Sequence, residues 1–267
     1  MKFNNVLIAS DFDGTLINDD GIITPDVIEK IQYFIENGGL FTVCTGRIFQ
    51  GFHLYSPEYI NAPVLLGNGA MAYDYQRKEF IFNDAIGDEG LAAVKDVLKA
   101  FPHISIEFYN INTVCAVNLN SHSEQHFTSQ GIKFETINSP EEAPLPWTKV
   151  MIAAHGCSKE VQEILDKHPE INYLKTTGNY VEILKKGVDK GTGLLKLAKV
   201  LGCRQQDTYA AGDGYNDVEM LVAAAGGFVP ENGSQEALSV AKYVTRSNNE
   251  GCIAHAIEIL DEMYKEL

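Results

Sequence analysis

Basic residues and long apolar runs are scarce in this chain. Its 267 residues include 21 Lys and Arg against 36 Asp and Glu, which gives a formal net charge of −15 at pH 7. Because such a protein repels the phosphate backbone of nucleic acids, we expect no nucleic-acid partner. No apolar run approaches the ~20 residues that a membrane span needs, and the opening residues 1–3 leave no room for a signal peptide. We therefore expect a cytoplasmic protein with no membrane partner.

Cysteine and histidine are too scattered for a disulfide framework or a zinc site. The five cysteines are odd in number and widely spaced, and no Cys-x-x-Cys occurs. The seven histidines show no His-Glu-x-x-His pattern or other paired spacing. We predict reduced, mostly buried thiols and no zinc ligand among the histidines.

A pair of acidic residues follows the first apolar stretch of the chain. The short, branched run 6–9 is typical of a buried strand, and Asp11-Phe12-Asp13-Gly14-Thr15 comes directly after it. In open parallel sheets, ligands bind just beyond the carboxyl ends of strands. Two like charges this close repel unless a cation lies between them or one carries a proton. Taken alone, the pair fits either an active site or a solvated Asp-Gly turn.

Strand and helix patterns alternate at both ends of the chain and change in the middle. A βαβ order with short connections, in residues 1–83 and again in 187–267, predicts a Rossmann-like α/β core with a parallel sheet. Residues 84–186 are dense in aromatic and β-branched residues, which favours an inserted α+β domain with an antiparallel sheet. At ~150 residues per domain, the chain length is compatible with two compact units.

Two further features occur where predicted core strands end or helices begin. Thr45-Gly46-Arg47 follows the second strand, 40–44. A hydroxyl, a glycine and the free amides of a helix start form a site suited to a phosphate group, although Thr-Gly is also an ordinary turn. Lys190 stands at the head of a helix predicted over 190–201, a position where most lysines are simply solvated.

The third feature is Gly212-Asp213-Gly214-Tyr215-Asn216-Asp217, which follows a predicted strand over 208–211 and opens a helix predicted over 216–225. Asp217 there could merely cap the helix. Asp213, at the strand end, could instead meet Asp11 and Asp13. Three carboxylates beside a phosphate pocket would hold Mg²⁺, a hard cation that prefers oxygen ligands. The glycines match neither a dinucleotide fingerprint nor a phosphate-binding P-loop.

These pieces, in this order, resemble the haloacid dehalogenase superfamily. The chain is similar to its Cof-like phosphatases, which carry a type 2 (C2B) cap. The resemblance rests on Asp11-Phe12-Asp13-Gly14-Thr15, Thr45-Gly46-Arg47, Lys190-Gly191-Thr192-Gly193 and Gly212-Asp213-x-x-Asn216-Asp217-x-x-Met220, with Asn68-Gly69-Ala70 in support. It spans essentially the whole chain, although the insertion has no comparable signature.

The resemblance implies a role for each site residue. Asp11 would be the nucleophile and Asp13 the acid and base of a Mg²⁺-dependent phosphatase. The metal would be held by carboxylates of Asp11 and Asp213 and by the backbone carbonyl of Asp13. Asp217 would orient a metal-bound water or Lys190. The predicted phosphate contacts are Thr45, Gly46, Arg47, Lys190 and Asn216.

The expected substrates are small phosphorylated metabolites, with sugar phosphates as the first choice. The inserted domain would act as a lid that contacts the leaving group, with Asn179 and Tyr180 as candidate contacts and Trp147 as a packing residue. A phosphohexomutase and a non-catalytic metabolite sensor on the same scaffold remain alternatives. The second acid, Asp13, favours hydrolysis over the chemistry of a phosphate-transferring pump, whose phosphoenzyme must persist. The oligomeric state is not indicated by the sequence.

Overall fold

The computed structural model describes residues 1–175 and 180–265, and these form two compact units. The first contains Met1–Gly46, Leu54–Ile81 and Asp189–Leu267, and the second contains Arg47–His53 and Phe82–Val188. The predicted core (1–83 and 187–267) and insertion (84–186) stay predictions about domains.

The first unit is built on a five-stranded sheet in which every strand pair is parallel. The strands are β1 (Leu7–Ser10), β2 (Leu40–Val43), β12 (Thr208–Ala211), β13 (Gly226–Pro230) and β14 (Tyr243–Thr245). The strand order is β14-β13-β12-β1-β2, so β1 lies inside the sheet between β12 and β2. The predicted parallel α/β core is confirmed.

The helices of this unit are α1 (Pro25–Glu36), α5 (Lys190–Leu201), α6 (Val218–Ala223), α7 (Gln235–Val240) and α8 (Cys252–Met263). Helix α1 begins with proline at its first position, where the missing N–H carries no penalty. The prediction for α6 was wrong at its start, because residues Tyr215–Asp217 form a separate 3₁₀ turn and α6 begins at Val218.

A second, three-stranded sheet follows β2 along the chain. It contains β3 (Val64–Leu66), β4 (Met71–Asp74) and β5 (Glu79–Asn83), in that order. The sequence predicted β3 but not the following hairpin. A backbone bridge between Cys44 and Leu65 runs parallel, so the end of β2 continues toward β3.

The second unit contains a six-stranded sheet. Its strands are β6 (Ile106–Tyr109), β7 (Val114–Val117), β8 (Glu135–Ile137), β9 (Lys149–Ala153), β10 (Ile171–Lys175) and β11 (Tyr180–Lys185). They lie in the order β10-β11-β9-β6-β7-β8, and their pairs are antiparallel except for β7 with β8. Its helices are α2 (Asp88–Ala100), α3 (Ser121–Ser129) and α4 (Ser158–Leu165).

Helices α2 and α4 supply apolar side chains to the main core of the second unit. Val94, Val97 and Val161 pack there against the strand residues Ile106 and Val150. Trp147 is 1% exposed in the same core, with its ring centroid 4.8 Å from that of Phe108, so the prediction that it packs is confirmed.

The stretch before Pro146, which the sequence indicated only as polar, contains α3 and β8. The signal for α3 is weak because only Ser123 and Phe127 of its nine residues are buried. Its start is nevertheless well defined, since the Asn120 side chain accepts hydrogen bonds from the backbone amides of His122 and Ser123.

All five cysteines are free thiols, as predicted. Within residues 1–175 and 180–265, none of the helices has the length and apolar character needed to cross a membrane.

Candidate active site

Asp11 lies just past the carboxyl end of β1, inside the parallel sheet. Its backbone amide donates to the carbonyl of Ala211 on β12, with an N–O distance of 2.7 Å, which extends the strand pairing by one residue. The residue is only 7% exposed. A carboxylate at this position is buried at the carboxyl ends of the strands, where α/β proteins bind ligands.

Lys190 is wholly buried between two carboxylates. Its Nζ is 2.6 Å from Oδ1 of Asp11 and 2.6 Å from Oδ1 of Asp217. Helix α5 begins at Lys190, and its N-cap is a capping box in which Asp189 and Thr192 hydrogen bond reciprocally. The cap fixes where the helix starts and therefore where the Lys190 side chain leaves the backbone.

Asp213 lies at the end of β12 and is held by the loop after β1. The hydroxyl of Thr15 donates to its Oδ1 at 2.7 Å. Gly14 has a φ of +83°, and a Cβ added there would lie 2.7 Å from Oδ2 of Asp213. The close approach of the two loops therefore depends on glycine at position 14.

Both carboxylate oxygens of Asp217 have donors. Its Oδ1 accepts from Lys190, and its Oδ2 accepts from the backbone amides of Asp213 and Gly214, at 3.1 and 2.8 Å. The side chain thus ties the end of β12 to the ammonium at the start of α5. Because its oxygens are engaged in this way, Asp217 is better suited to orienting Lys190 than to binding a cation.

The cluster combines three carboxylates with one ammonium, and the pKa values reflect this excess of negative charge. Burial and the nearby charge of Asp217 raise the pKa of Asp11 well above its ordinary value, against the opposing effect of Lys190. Burial also raises the pKa of Asp213, although the Thr15 hydrogen bond opposes this shift. Burial acts to lower the pKa of Lys190, but Asp11 and Asp217 outweigh it and the pKa is raised. Lys190 is therefore a firmly charged ammonium.

The donor set of this cluster fits a hard divalent cation. Oxygens of Asp11, Asp213 and Asp217 lie within 4.8 Å of one another. One ammonium leaves an excess of two negative charges among them, and a divalent ion would neutralise that excess. The expected ligands Asp11 and Asp213 thus lie together, while the indirect role of Asp217 stays a prediction.

The predicted phosphate contacts Thr45 and Asn216 are connected through Asn68. Thr45 is 1% exposed, and its carbonyl accepts from the backbone amide of Asn68 at 3.0 Å. The Nδ2 group of Asn216 donates to Oδ1 of Asn68, also at 3.0 Å. A Cβ added to Gly46 would lie 3.2 Å from the same oxygen. The three segments therefore form one connected site.

The remaining predicted residues have separate positions. Asp13 is exposed, in contrast to the buried Asp11. Arg47 falls in the second unit, so its phosphate contact stays a prediction. Tyr180 is half-buried at the start of β11, where its hydroxyl donates to the carbonyl of His122. Asn179 lies outside the described residues.

No role was predicted for three residues that shape the site, namely Thr15, Asn68 and Asp189. Each has a recognisable local signal, since Thr15 follows Asp-Gly, Asn68 precedes a glycine and Asp189 precedes a helix. The side chains of Thr15 and Asn68 contact residues far away along the chain, Asp213 and Asn216 respectively, which no local signal indicates.

The chain matches known proteins along most of its length. The family model for haloacid dehalogenase-like hydrolases matches residues 8–257. The 5-amino-6-(5-phospho-D-ribitylamino)uracil phosphatase YitU of Bacillus subtilis is 27% identical, covering 97% of this chain and 98% of its own length. The pyridoxal phosphate phosphatase YbhA of Escherichia coli is 25% identical, covering 94% of this chain and 97% of its own.

A solved structure shares the fold. The protein described as the HAD subclass IIB sugar phosphatase BT4131 superposes with a TM-score of 0.85 at 21% identity, covering 96% of this chain and 99% of that one. Together with the match over residues 8–257 and the cluster around Lys190, these similarities identify the chain as a member of the haloacid dehalogenase-like hydrolase family, in its phosphatase branch.

Proposed function

We propose that this protein hydrolyses phosphate monoesters of small phosphorylated metabolites, most of all sugar phosphates, by a Mg²⁺-dependent route through an aspartyl-phosphate on Asp11. The observation that carries the proposal is the burial of the Lys190 ammonium 2.6 Å from Asp11 and 2.6 Å from Asp217, next to Asp213. Such a cluster offers a nucleophilic carboxylate together with the positive charge that lets it approach an anion.

In the first step, an oxygen of Asp11 attacks the phosphorus atom and the ester P–O bond breaks. Asp13 gives a proton to the departing oxygen, which leaves as an alcohol. The phosphoryl group is then bonded to the Asp11 carboxylate. Asp13 is exposed at the loop after β1, which suits a group that exchanges protons with solvent and substrate.

In the second step, a water molecule attacks the same phosphorus atom and Asp13 accepts its proton. The bond between phosphorus and Asp11 breaks, which releases inorganic phosphate and restores the Asp11 carboxylate. Lys190 remains charged throughout because its pKa is raised by Asp11 and Asp217, although burial acts to lower it. Its ammonium offsets the negative charge of both the nucleophile and the phosphoryl oxygens.

Asp11, Asp213 and the backbone carbonyl of Asp13 would hold Mg²⁺. When bound, the ion neutralises the carboxylates and polarises the phosphoryl group. Thr45, Gly46, Arg47, Lys190 and Asn216 would contact the phosphoryl oxygens. Asp217 would keep Lys190 in place, since it contacts that ammonium and two backbone amides at once.

The proposed substrate class is broad because two relatives are named for different phosphorylated compounds. The phosphatases YitU and YbhA act, by their names, on a ribitylaminouracil phosphate and on pyridoxal phosphate. Both are small phosphorylated metabolites, which supports that broad class. Sugar phosphates, the predicted ranges of the core and insertion, the role of the insertion as a lid and the cytoplasmic location stay predictions.

The test is Asp11→Asn, which removes the attacking carboxylate but keeps the side-chain shape. Phosphate release is measured over a panel of phosphorylated sugars, nucleotides, cofactors and small acids, with Mg²⁺ and with a chelator. We expect the wild-type protein to release phosphate from at least one class only with Mg²⁺, and the variant to lose this activity at least 1,000-fold, or roughly 4 kcal/mol of barrier.

Asp20→Asn is the matched control, because Asp20 is exposed on the surface. It should leave turnover unchanged, and circular dichroism should show both variants folded. Unchanged turnover in Asp11→Asn would overturn the proposal. Phosphate release from a hexose monophosphate without a bisphosphate activator would also exclude the mutase alternative, while binding without turnover across the panel would favour the sensor.

A further inference from the structure

We propose that Asn68 is a positioning residue that orients the carboxamide of Asn216 toward the phosphoryl group, an inference that rests on the proposed function. Asn68 lies between β3 and β4, away from the aspartates in sequence, and it is fully buried. No role in phosphate binding is implied for it by the motifs alone.

The backbone at Asn68 has an unusual conformation. Gly67, Asn68 and Gly69 all have positive φ, at 58°, 54° and 87°. Non-glycine residues rarely adopt this left-handed conformation, although asparagine tolerates it better than most. Its conformational cost is offset by the contacts that the turn makes, so those contacts indicate what the turn does.

The first set of contacts links Asn68 to two predicted phosphate-binding segments. Its backbone amide donates to the carbonyl of Thr45, and its side-chain Oδ1 accepts from Nδ2 of Asn216, each at 3.0 Å. Gly46 packs so closely that a Cβ there would approach the Asn68 carboxamide to 3.2 Å. One buried residue therefore contacts both segments, through its backbone amide and its side chain.

The second set of contacts links the turn to the helix that carries Lys190. A Cβ added to Gly69 would lie 2.3 Å from the carbonyl oxygen of Asp189, the N-cap of α5. A Cβ added to Gly193 would lie 2.6 Å from the Cα of Gly69. The backbone of the turn thus packs directly against the first turn of α5, so three site segments share this support.

The hydrogen bond to Asn68 decides which end of the Asn216 carboxamide faces the proposed phosphate site. An amide nitrogen carries two hydrogens, and an amide oxygen carries only lone pairs. Donation of one hydrogen to Asn68 fixes the side-chain flip and leaves the second hydrogen for a phosphoryl oxygen. If the carboxamide rotated by 180°, its oxygen would face the anion and repel it.

The experiment uses Asn68→Gly, which keeps the left-handed backbone accessible and removes the side-chain acceptor. Titration calorimetry with inorganic phosphate and Mg²⁺ should show about tenfold weaker binding, the factor that corresponds to about one hydrogen bond. The kcat/KM should fall by a similar factor for substrates with different leaving groups, because the change acts on the phosphoryl end.

A double-variant cycle tests whether Asn68 acts through Asn216. Asn216→Ala should weaken phosphate binding, and adding Asn68→Gly to it should weaken binding no further. Asn5→Gly is the matched control, because Asn5 also has a positive φ, +61°, but is exposed ahead of β1. It should bind phosphate as the wild type does. Additive effects in the cycle would overturn the inference.

A second variant covers the case in which Asn68→Gly folds poorly. Asn68→Asp keeps an acceptor oxygen and the tolerance of left-handed backbone, and it adds a negative charge beside the phosphate site. Because this variant still accepts from Asn216, adding Asn216→Ala to it should weaken phosphate binding by as large a factor as Asn216→Ala does in the wild type. No effect of Asn216→Ala in the Asn68→Asp background would overturn the inference. Absence of turnover in the wild type would overturn the proposed function, whereas calorimetry would still measure the effect of Asn68.

Discussion

Lys190 balances the charge of the site more than any other single residue. It is fully buried, and its ammonium lies 2.6 Å from each of two carboxylates. Removal of one partner from a buried ion pair leaves an uncompensated charge, which costs far more than the pair itself contributes. The same residue therefore affects both the stability of the first unit and its chemistry.

We expect Lys190→Met to destabilise the protein by roughly 3–5 kcal/mol in the presence of a chelator, because Asp11 and Asp217 then face each other without the ammonium. Urea unfolding measures this loss. Lys199→Met, at an exposed position of the same helix, is the control and should change the free energy of unfolding by less than about 0.5 kcal/mol. Equal effects in the two variants would contradict this account of Lys190.

At the scale of elements, the site is assembled from loops that follow parallel strands. Asp11 follows β1, Asp213 follows β12, and the two strands pair side by side in register. Thr15 then bonds the first loop to the second through Asp213. Because adjacent parallel strands end at the same edge of a sheet, this topology brings together residues separated by about two hundred positions in sequence.

We expect Gly14→Ala to disrupt this junction. The φ of +83° disfavours alanine, and the new Cβ would lie 2.7 Å from the Asp213 carboxylate. The combined cost should be about 2–3 kcal/mol, with turnover lowered at least tenfold. Gly21→Ala is a matched control, since Gly21 has a φ of +74° but nothing within 4 Å of the added Cβ. It should lose only about 1 kcal/mol and keep its turnover, as thermal unfolding and phosphate release would show.

At the scale of the whole molecule, the described contacts of the acidic cluster all lie within the first unit. A cation bound there should stabilise that unit. At a Mg²⁺ concentration of one hundred times Kd, linkage predicts a gain of roughly 2.7 kcal/mol. Hydrogen exchange followed by mass spectrometry should show Mg²⁺-dependent protection in peptides from β1 and β12 and little change in peptides from β6 and β9.

The stabilisation of the protein by Mg²⁺ should depend on pH. In the metal-free chain, burial and Asp217 raise the pKa of Asp11, and burial raises that of Asp213, above their ordinary value of 3.8. The stability that these groups contribute is therefore complete below pH 3.8 and is lost as pH rises through the raised values. Because protons compete with Mg²⁺ for these oxygens, added Mg²⁺ should stabilise the protein more at pH 8 than at pH 5. Equal stabilisation at the two pH values in urea unfolding would contradict this assignment.

Most of the core could be predicted because its local signals are strong. Helix α5 and strand β12 have the predicted bounds, since a capping residue opens the helix and a short apolar run forms the strand. Helix α3 and the β4–β5 hairpin were missed because few of their residues are buried or patterned. Helix α6 begins two residues later than predicted. The Asp217 side chain accepts hydrogen bonds from the backbone amides of Asp213 and Gly214, and Tyr215–Asp217 form a separate 3₁₀ turn.

The sequence by itself determined the parallel α/β core and the residue types of the site, because apolar periodicity and strand-end motifs are local properties of a chain. Only the tertiary structure decided that Lys190 lies between Asp11 and Asp217, that Thr15 holds Asp213, and that Asn68 joins Thr45 to Asn216. These contacts join residues distant in sequence. Their geometry is fixed by strand order, helix caps and left-handed turns acting together, which no single segment encodes.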